Sequence, residues 1–385
     1  MLSSALPWPS LTVEWFPDVE LSNRKTPAVK KQRLLLGTRT AGQGDEFLRI
    51  ADTTLPDFEA DKKKTPDLYK FDSDLGEVAS YTDAFNTQVN ITQRINHNGE
   101  INRARFMPQN PNIIATLSST GATYVFDRSK HSLSPGRDFR PDISLNHHKE
   151  EGYGLCWNTF DRGLLLTGSG DSTVALWDVN QVTSANSSLS PKEVFKFHTQ
   201  IVNEVEWHPF HSNLFGSVSD DSVFRITDIR SPQSAITSTT PSYTSEAINT
   251  LAFNLANEYL IATGSSSKDI TLWDTRKIPS PLHNMSGHTD GITSLQWSPH
   301  FPSVIASASP DKRVIIWDIA MMGEEQTPEE AAEGPPELLF VHGGHTDSVF
   351  DISWNPDVPW MMASVADDNQ LHIWRPSSTI VDLEP

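Results

Sequence analysis

This 385-residue sequence predicts an all-β fold, a single domain of seven similar four-stranded units closed into a ring. Three observations carry that expectation. A tripeptide closing a β-rich run recurs as "VFD", "LWD", "ITD", "LWD", "IWD" and "IWR", ending at residues 127, 178, 228, 274, 318 and 375. The spacings are 51, 50, 46, 44 and 57 residues, the longest containing an acidic insertion. Each unit also has the same grammar: an alternating strand ending in an aromatic, a small-residue strand, a turn with Asp or Ser, and the closing strand, with no sustained helical period.

Taken in order, "SLTVEWFP", "QRLLLGTR", "FLRIADTTL" and "VNITQRI" supply four strands of a first unit over about 8–96 that lacks the closing tripeptide. Six explicit units follow, their first strands ending at Phe106, Trp157, Trp207, Phe253, Trp297 and Trp354. Four antiparallel strands in about 40–45 residues, marked by Gly-His and Trp-Asp, are the signature of a WD-repeat β-propeller blade. Ring closure pairs strands that would otherwise be exposed edges. The propeller domain therefore spans 1–385, with the acidic insertion at 323–340 ahead of the last blade. Segments 59–77 and 180–192 read as long polar loops.

Composition narrows the function classes. One cysteine, Cys156, excludes an intrachain disulfide framework. No stretch approaches the roughly 18 apolar residues of a membrane helix, so a soluble intracellular protein is expected. Thirty basic against 49 acidic residues give a net charge of -19, which disfavours direct nucleic-acid binding and favours basic partners. The repeat itself accounts for most histidines: His148, His198, His288 and His345 precede innermost strands, and Asp171, Asp221, Asp311 and Asp368 precede closing strands. Such pairs, supported by a strand Ser and a Trp, staple neighbouring strands. No nucleophile, metal-ligand or phosphate-loop constellation stands out, so neither catalysis, a metal nor a cofactor is expected.

Two regions exceed what blade packing needs. In a propeller the first residues of the innermost strands converge on the axis. Four residues before each aromatic marker stand Leu11, Asn102, Tyr153, Asn203, Asn249, Thr293 and Phe350, and six before it Pro9, Glu100, Glu151, Ile201, Ala247, Gly291 and Ser348. Amides, ring faces and carboxylates at one mouth suit a basic extended peptide, although solvated loops would use the same residues. The second region is "GEEQTPEEAAEGPPELLF". From Gly323 to Glu337 it holds six glutamates, three prolines and no basic residue, then turns apolar at Leu338, Leu339 and Phe340. A charge run of this kind is commonly just solvated surface. The apolar end instead suggests a wall that receives a basic amphipathic helix.

The strings "PWPSLTVEWFPD", "NRARFMPQNPNIIAT", "EGYGLCWN", "NLFGSVSDD", "GEEQTPEEAAEGPPELLFVHGGHT" and "SWNPDVPWM" together resemble the retinoblastoma-binding, Msi-type WD-repeat histone chaperones, over essentially Pro7 to Trp374. The ending "ADDNQLHIWRPS" resembles fungal members. The resemblance implies binding of the first helix of histone H4 between an N-terminal helix and the acidic loop, nominating Glu329, Glu330, Glu333, Glu337, Leu338 and Phe340. It also implies binding of the histone H3 tail or a corepressor peptide at the channel mouth, nominating Glu100, Asn102, Arg103, Glu151, Tyr153, Asn249 and Asp367, to which the ring position adds Asn203. Implied partners are histones H4 and H3 and the other subunits of chromatin assembly factor, type B histone acetyltransferase, deacetylase, polycomb and centromere-loading complexes, in the nucleus with a cytoplasmic pool.

Two departures accompany the resemblance. The family places a long helix ahead of "WPSL", of which "MLSSALP" resembles only the tail. Asn203, Gly291 and Thr293 stand where the family has glutamate, glutamate and phenylalanine, which weakens the expected affinity for a basic tail. A second function class also has residues behind it: "WDTR" at 273–276 and the looser "TDIR" at 227–230 resemble the pattern by which propellers dock on a cullin-type ubiquitin ligase adaptor.

Overall fold

The computed structural model describes residues 1–22, 29–56, 71–72, 77–78, 88–182, 187–231, 235–239, 246–377 and 380–381. Seven antiparallel sheets follow the predicted units. Their innermost strands, blades 1 to 7 in order, are Val13–Ser22, Ile101–Met107, Leu155–Trp157, Val202–Trp207, Ile248–Phe253, Ser294–Trp297 and Val349–Trp354. Each touches the next, and the seventh touches the first, so the ring is closed. The core lies between blades: Leu34, Leu36 and Ala51 of blade 1 pack on Val365, Leu371 and Ile373 of blade 7, and Ile305, Ile315 and Trp317 of blade 6 on Ala262 and Leu272 of blade 5.

Leu2–Ala5 is the outermost strand of blade 7, not a helix tail, pairing antiparallel with Gln370–Trp374 from Leu2↔Ile373 to Ala5↔Gln370. Leu6 is buried just beyond it in the blade 1–blade 7 core. The alternating pattern of Ser3 and Leu2 is compatible with a strand, but pairing with a partner some 370 residues away has no local sequence signal.

The two polar segments expected to be loops are not loops throughout. Within 180–192, Ser188–Leu189 forms a two-residue strand parallel to Ile143–Leu145, a fifth strand on blade 2; residues 183–186 lie outside the described residues. Most of 59–77 also lies outside them, apart from Phe71–Asp72 and Glu77, which belong to a short hairpin.

The histidine staples form as expected. Nδ1 of His148, His198, His288 and His345 lies 3.1, 3.0, 2.9 and 3.1 Å from Asp171, Asp221, Asp311 and Asp368. Their Nε2 atoms meet Thr167, Ser217, Ser307 and Ser364. Three of those hydroxyls also accept the indole N–H of Trp177, Trp317 or Trp374. Blade 4 has Thr227 instead of the Trp, and its buried hydroxyl finds no partner among the described residues. Ser307→Ala would leave the His288 ring and the Trp317 N–H without their shared partner, and should cost about 1–3 kcal/mol in urea unfolding.

A further histidine group lies at the junction of blades 6 and 7. His342 Nε2 is 3.2 Å from His372 Nδ1, and His372 stacks on His345 at 4.0 Å between ring centroids. Burial disfavours the imidazolium and pushes His342 down to about 3 and His372 down to about 4. Between the ordinary 6.5 and about 4 the unfolded chain therefore holds protons that the folded chain does not, and these rings lower stability as pH falls. Glu14, which burial pushes up to about 7, acts in the opposite sense below pH 7. Comparing a His372→Asn variant with the parent separates the two contributions: its unfolding free energy should fall less steeply between pH 6.5 and 4, by up to about 1.4 kcal/mol per pH unit.

Candidate binding surfaces

All seven residues four before the aromatic markers line a single cavity of about 420 Å³ at one channel mouth, together with Arg39, Glu100, Arg103 and Glu151. This works because innermost strands start at the same level around the axis, so equal sequence offsets become equal depths. Arg39 escaped the sequence reading. It comes from the loop between the second and third strands of blade 1, the unit without a closing tripeptide that would fix its register.

The amides are not free ligands. Asn102 Nδ2 donates to Gly152 O at 3.2 Å, Asn203 Nδ2 to Ile248 O at 3.0 Å and Asn249 Nδ2 to Ile292 O at 2.9 Å. Thr293 does the same to Val349 O at 2.8 Å. Each side chain thus staples its blade to the next one, a packing role the sequence reading did not assign. Arg103 is also committed. It is buried, with Nη1 2.9 Å from Asp351 and Nη2 3.7 Å from Glu204, and Nε donates to Tyr153 O.

Beneath the mouth runs a buried charge network. Asp351 pairs with Arg103 and Arg105, the latter at 3.1 Å, and accepts the Val13 N–H at 2.9 Å. Burial alone would raise the Asp351 carboxyl, but the two guanidinium groups outweigh it and hold it below the ordinary range. Burial raises Glu204 despite the opposing pull of Arg103.

What remains available at the mouth is acidic and aromatic. Arg39 lies 3.7 Å from Glu100 and 3.2 Å from the exposed Asp367, with its guanidinium over the Phe350 ring. It occupies the place a foreign cation would take. Among the described residues the Glu151 carboxylate has only long contacts of 3.4 Å, to Asn102 and to the exposed Tyr153 hydroxyl. Burial and the Glu151 charge raise the Tyr153 phenol, so it stays a neutral donor. An entering Lys or Arg therefore meets Glu100, Glu151 and Asp367, in competition with Arg39.

The acidic insertion belongs to blade 6. It joins the third strand, Val314–Asp318, to the fourth, Leu338–His342. Thr327 caps a six-residue helix, Pro328–Glu333, with its side chain accepting from Glu330 N while the Glu330 carboxylate accepts from Thr327 N at 2.8 Å. Proline at the first helical position and two glutamates in the first turn favour this start. Glu324, Glu325, Glu329 and Glu330 are exposed; the Glu333 side chain lies outside the described residues.

One nominated residue has another duty. Glu337 is buried and accepts from His283 Nε2 at 2.8 Å, so it links blades 6 and 5 instead of facing a ligand. Leu338 and Phe340 are strand residues rather than loop tips. Leu338 pairs with Trp317, and half-buried Phe340 pairs with Ile316 and lies 5.7 Å from the Trp374 ring. The apolar wall is thus anchored in the blade. In "WDTR" and "TDIR", Arg276 and Arg230 turn back onto Asp274 and Asp228 at 2.8 and 2.6 Å, a local turn contact that gives the docking motif no separate support.

Comparison with known proteins covers the whole chain. A curated protein of Mycosarcoma maydis named histone acetyltransferase type B subunit 2 is 46% identical over 393 residues, spanning 99% of this chain and 89% of that protein. The protein of that name in Debaryomyces hansenii is 38% identical over 388 residues, spanning 99% and 88%. The chain belongs to the retinoblastoma-binding, Msi-type family of WD-repeat proteins. A family model described as the histone-binding protein RBBP4, or a subunit of the CAF1 complex, matches residues 1–57. In this Msi-type chain that stretch holds the closing strand Leu2–Ala5 and the first three strands of blade 1. WD-repeat models match 140–178, 189–228, 279–318 and 336–375. The last of these begins with the outer strand of blade 6 and ends with the third strand of blade 7. Sequence repeat and structural blade are therefore offset by one strand, so each repeat ties two blades together.

Proposed function

We propose that this chain is a non-catalytic histone-binding subunit that receives the first helix of histone H4 beside the blade 6 insertion. The observation that carries the reading is the juxtaposition, on one blade, of four exposed glutamates around a capped helix with half-buried Leu338, Leu339 and Phe340 on the following strand. A basic amphipathic helix could lay its apolar stripe on the strand while its Lys and Arg residues meet the carboxylates. The names of the relatives favour membership of a type B histone acetyltransferase complex, and the histone-binding family model over 1–57 favours the ligand.

The channel mouth provides a second, weaker acidic site for a basic tail such as that of histone H3, through Glu100, Glu151, Tyr153 and Asp367. Chromatin assembly factor, deacetylase, polycomb and centromere-loading complexes remain further assemblies of the same chaperone role, in the nucleus and in a cytoplasmic pool. Acetyl transfer belongs to a partner protein on this reading.

The test is a titration of a labelled H4 first-helix peptide into the chain and into a Glu325→Ala, Glu329→Ala, Glu330→Gln variant. Glutamine at 330 keeps the capping acceptor, so the helix survives. A Kd of roughly micromolar or tighter is expected for the parent, weakened at least tenfold in the variant. Equal affinity in both would remove the insertion from the site.

A further inference from the structure

We propose that the channel mouth opposite the acidic one receives a single cationic side chain, arginine or lysine, presented by an apolar segment of a protein partner, with Glu206 as its counter-ion. The two mouths lie at opposite ends of the same innermost strands, on the order of 20 Å apart for six residues of strand. Two residues after six of the seven markers stand Pro17, Pro108, Pro209, Leu255, Pro299 and Pro356, all exposed or half-exposed, and blade 3 alone has a polar residue there, Thr159. Phe160, Phe210 and Leu255, on the adjacent blades 3, 4 and 5, are 51%, 41% and 49% exposed. Consecutive exposed apolar side chains on one face mark an interaction surface more than isolated ones do.

Within this rim lies a cavity of about 220 Å³, walled by Phe253, Leu255, Trp297, Pro299, Trp354 and Pro356, and Glu206 lines it. One Glu206 oxygen accepts the Phe253 N–H at 2.9 Å; the other has no partner among the described residues. The residue one before each marker commonly staples its blade to the next in this way, and a neutral acceptor suffices. Cys156 Sγ accepts from Trp207 N, Gln296 Oε1 from Trp354 N, and Ser353 Oγ from Trp15 N. Where Glu14 takes the role, the neighbouring Arg105 balances its charge. At Glu206 no cation among the described residues does so. Burial and the Glu204 charge favour the neutral form of its carboxyl in the free chain, so an entering cation supplies the opposite charge that favours ionisation. An acid at a position where an amide or a thiol would serve, facing a cavity with aromatic walls, is complementary to an aliphatic chain ending in a cation.

The probe is a fluorescein-labelled peptide with one central arginine flanked by two leucines on each side, with lysine and citrulline counterparts, followed by anisotropy. The arginine or lysine peptide should bind the parent chain at least tenfold more tightly than the citrulline peptide. Glu206→Gln, which keeps the Phe253 hydrogen bond and so the fold, should lose at least tenfold, and Leu255→Ser should weaken all three peptides together. Undiminished binding by Glu206→Gln, equal binding of the citrulline peptide, or no binding of either cationic peptide would overturn the proposal. So would loss in Glu100→Gln with full binding by Glu206→Gln, which would put the probe at the other mouth.

Discussion

Asp351→Ala is expected to lower the unfolding free energy by about 3–5 kcal/mol, the cost of removing one partner from a buried ion cluster. The carboxylate joins four blades. It belongs to blade 7, pairs with Arg103 and Arg105 of blade 2, accepts the Val13 N–H of blade 1 and lies 3.3 Å from Ser294 Oγ of blade 6. Without it two buried guanidinium groups face only Glu14 and Glu204, both of which burial drives toward the neutral form. Glu14 is pushed up to about 7, so the lost charge is replaced more readily at high pH. The destabilisation should therefore be larger at pH 6 than at pH 8. Asp351→Asn keeps an acceptor for the Val13 N–H and should fall between parent and alanine variant. Urea midpoints at the two pH values decide it; a loss below about 1 kcal/mol in the alanine variant would mean that Glu14 and Glu204 alone neutralise the arginines.

The ring was legible in the sequence because its signals are local and repeated. Alternation gave the strands, the closing tripeptide gave their register, and a fixed offset from the aromatic marker put Leu11, Asn102, Tyr153, Asn203, Asn249, Thr293 and Phe350 in one cavity. What each of these side chains does was not legible. Asn203 and Asn249 look like ligands from residue type alone, yet their partners are carbonyls of the next blade, about 45 residues away and invisible to any short-range pattern. Glu337 reads as the last acid of a charge run, but its neighbour His283 comes from a different blade. Ring closure by Leu2–Ala5 is the extreme case, since no spacing rule relates residue 2 to residue 373. The capped helix, by contrast, could have been read from "TPEE", where Thr327 precedes Pro328 and Glu330 follows three residues later.

Phe340→Ala should speed dissociation of the H4 helix peptide by at least tenfold while changing its association rate less than threefold, and Glu329→Ala should do the reverse on a smaller scale. The difference follows from where the two side chains sit. Phe340 lies against Trp374 and is only half-buried, so a docked helix would desolvate its remaining ring surface at little cost in ordering it. Glu329 is exposed, and an exposed ion pair contributes only about 0–1 kcal/mol while steering the encounter of a basic peptide toward a chain of net charge -19. Raising the salt concentration should accordingly slow association with the parent and leave dissociation nearly constant. The anchoring of Phe340 in the blade adds a second effect absent for Glu329. Losing the Trp374 contact should also destabilise the fold, by about 2 kcal/mol for a half-buried ring. Stopped-flow anisotropy beside urea unfolding separates the two. If the glutamate variant dissociated as fast as the phenylalanine variant, the apolar strand would not be the anchor, and the acidic helix itself would have to close over the bound peptide.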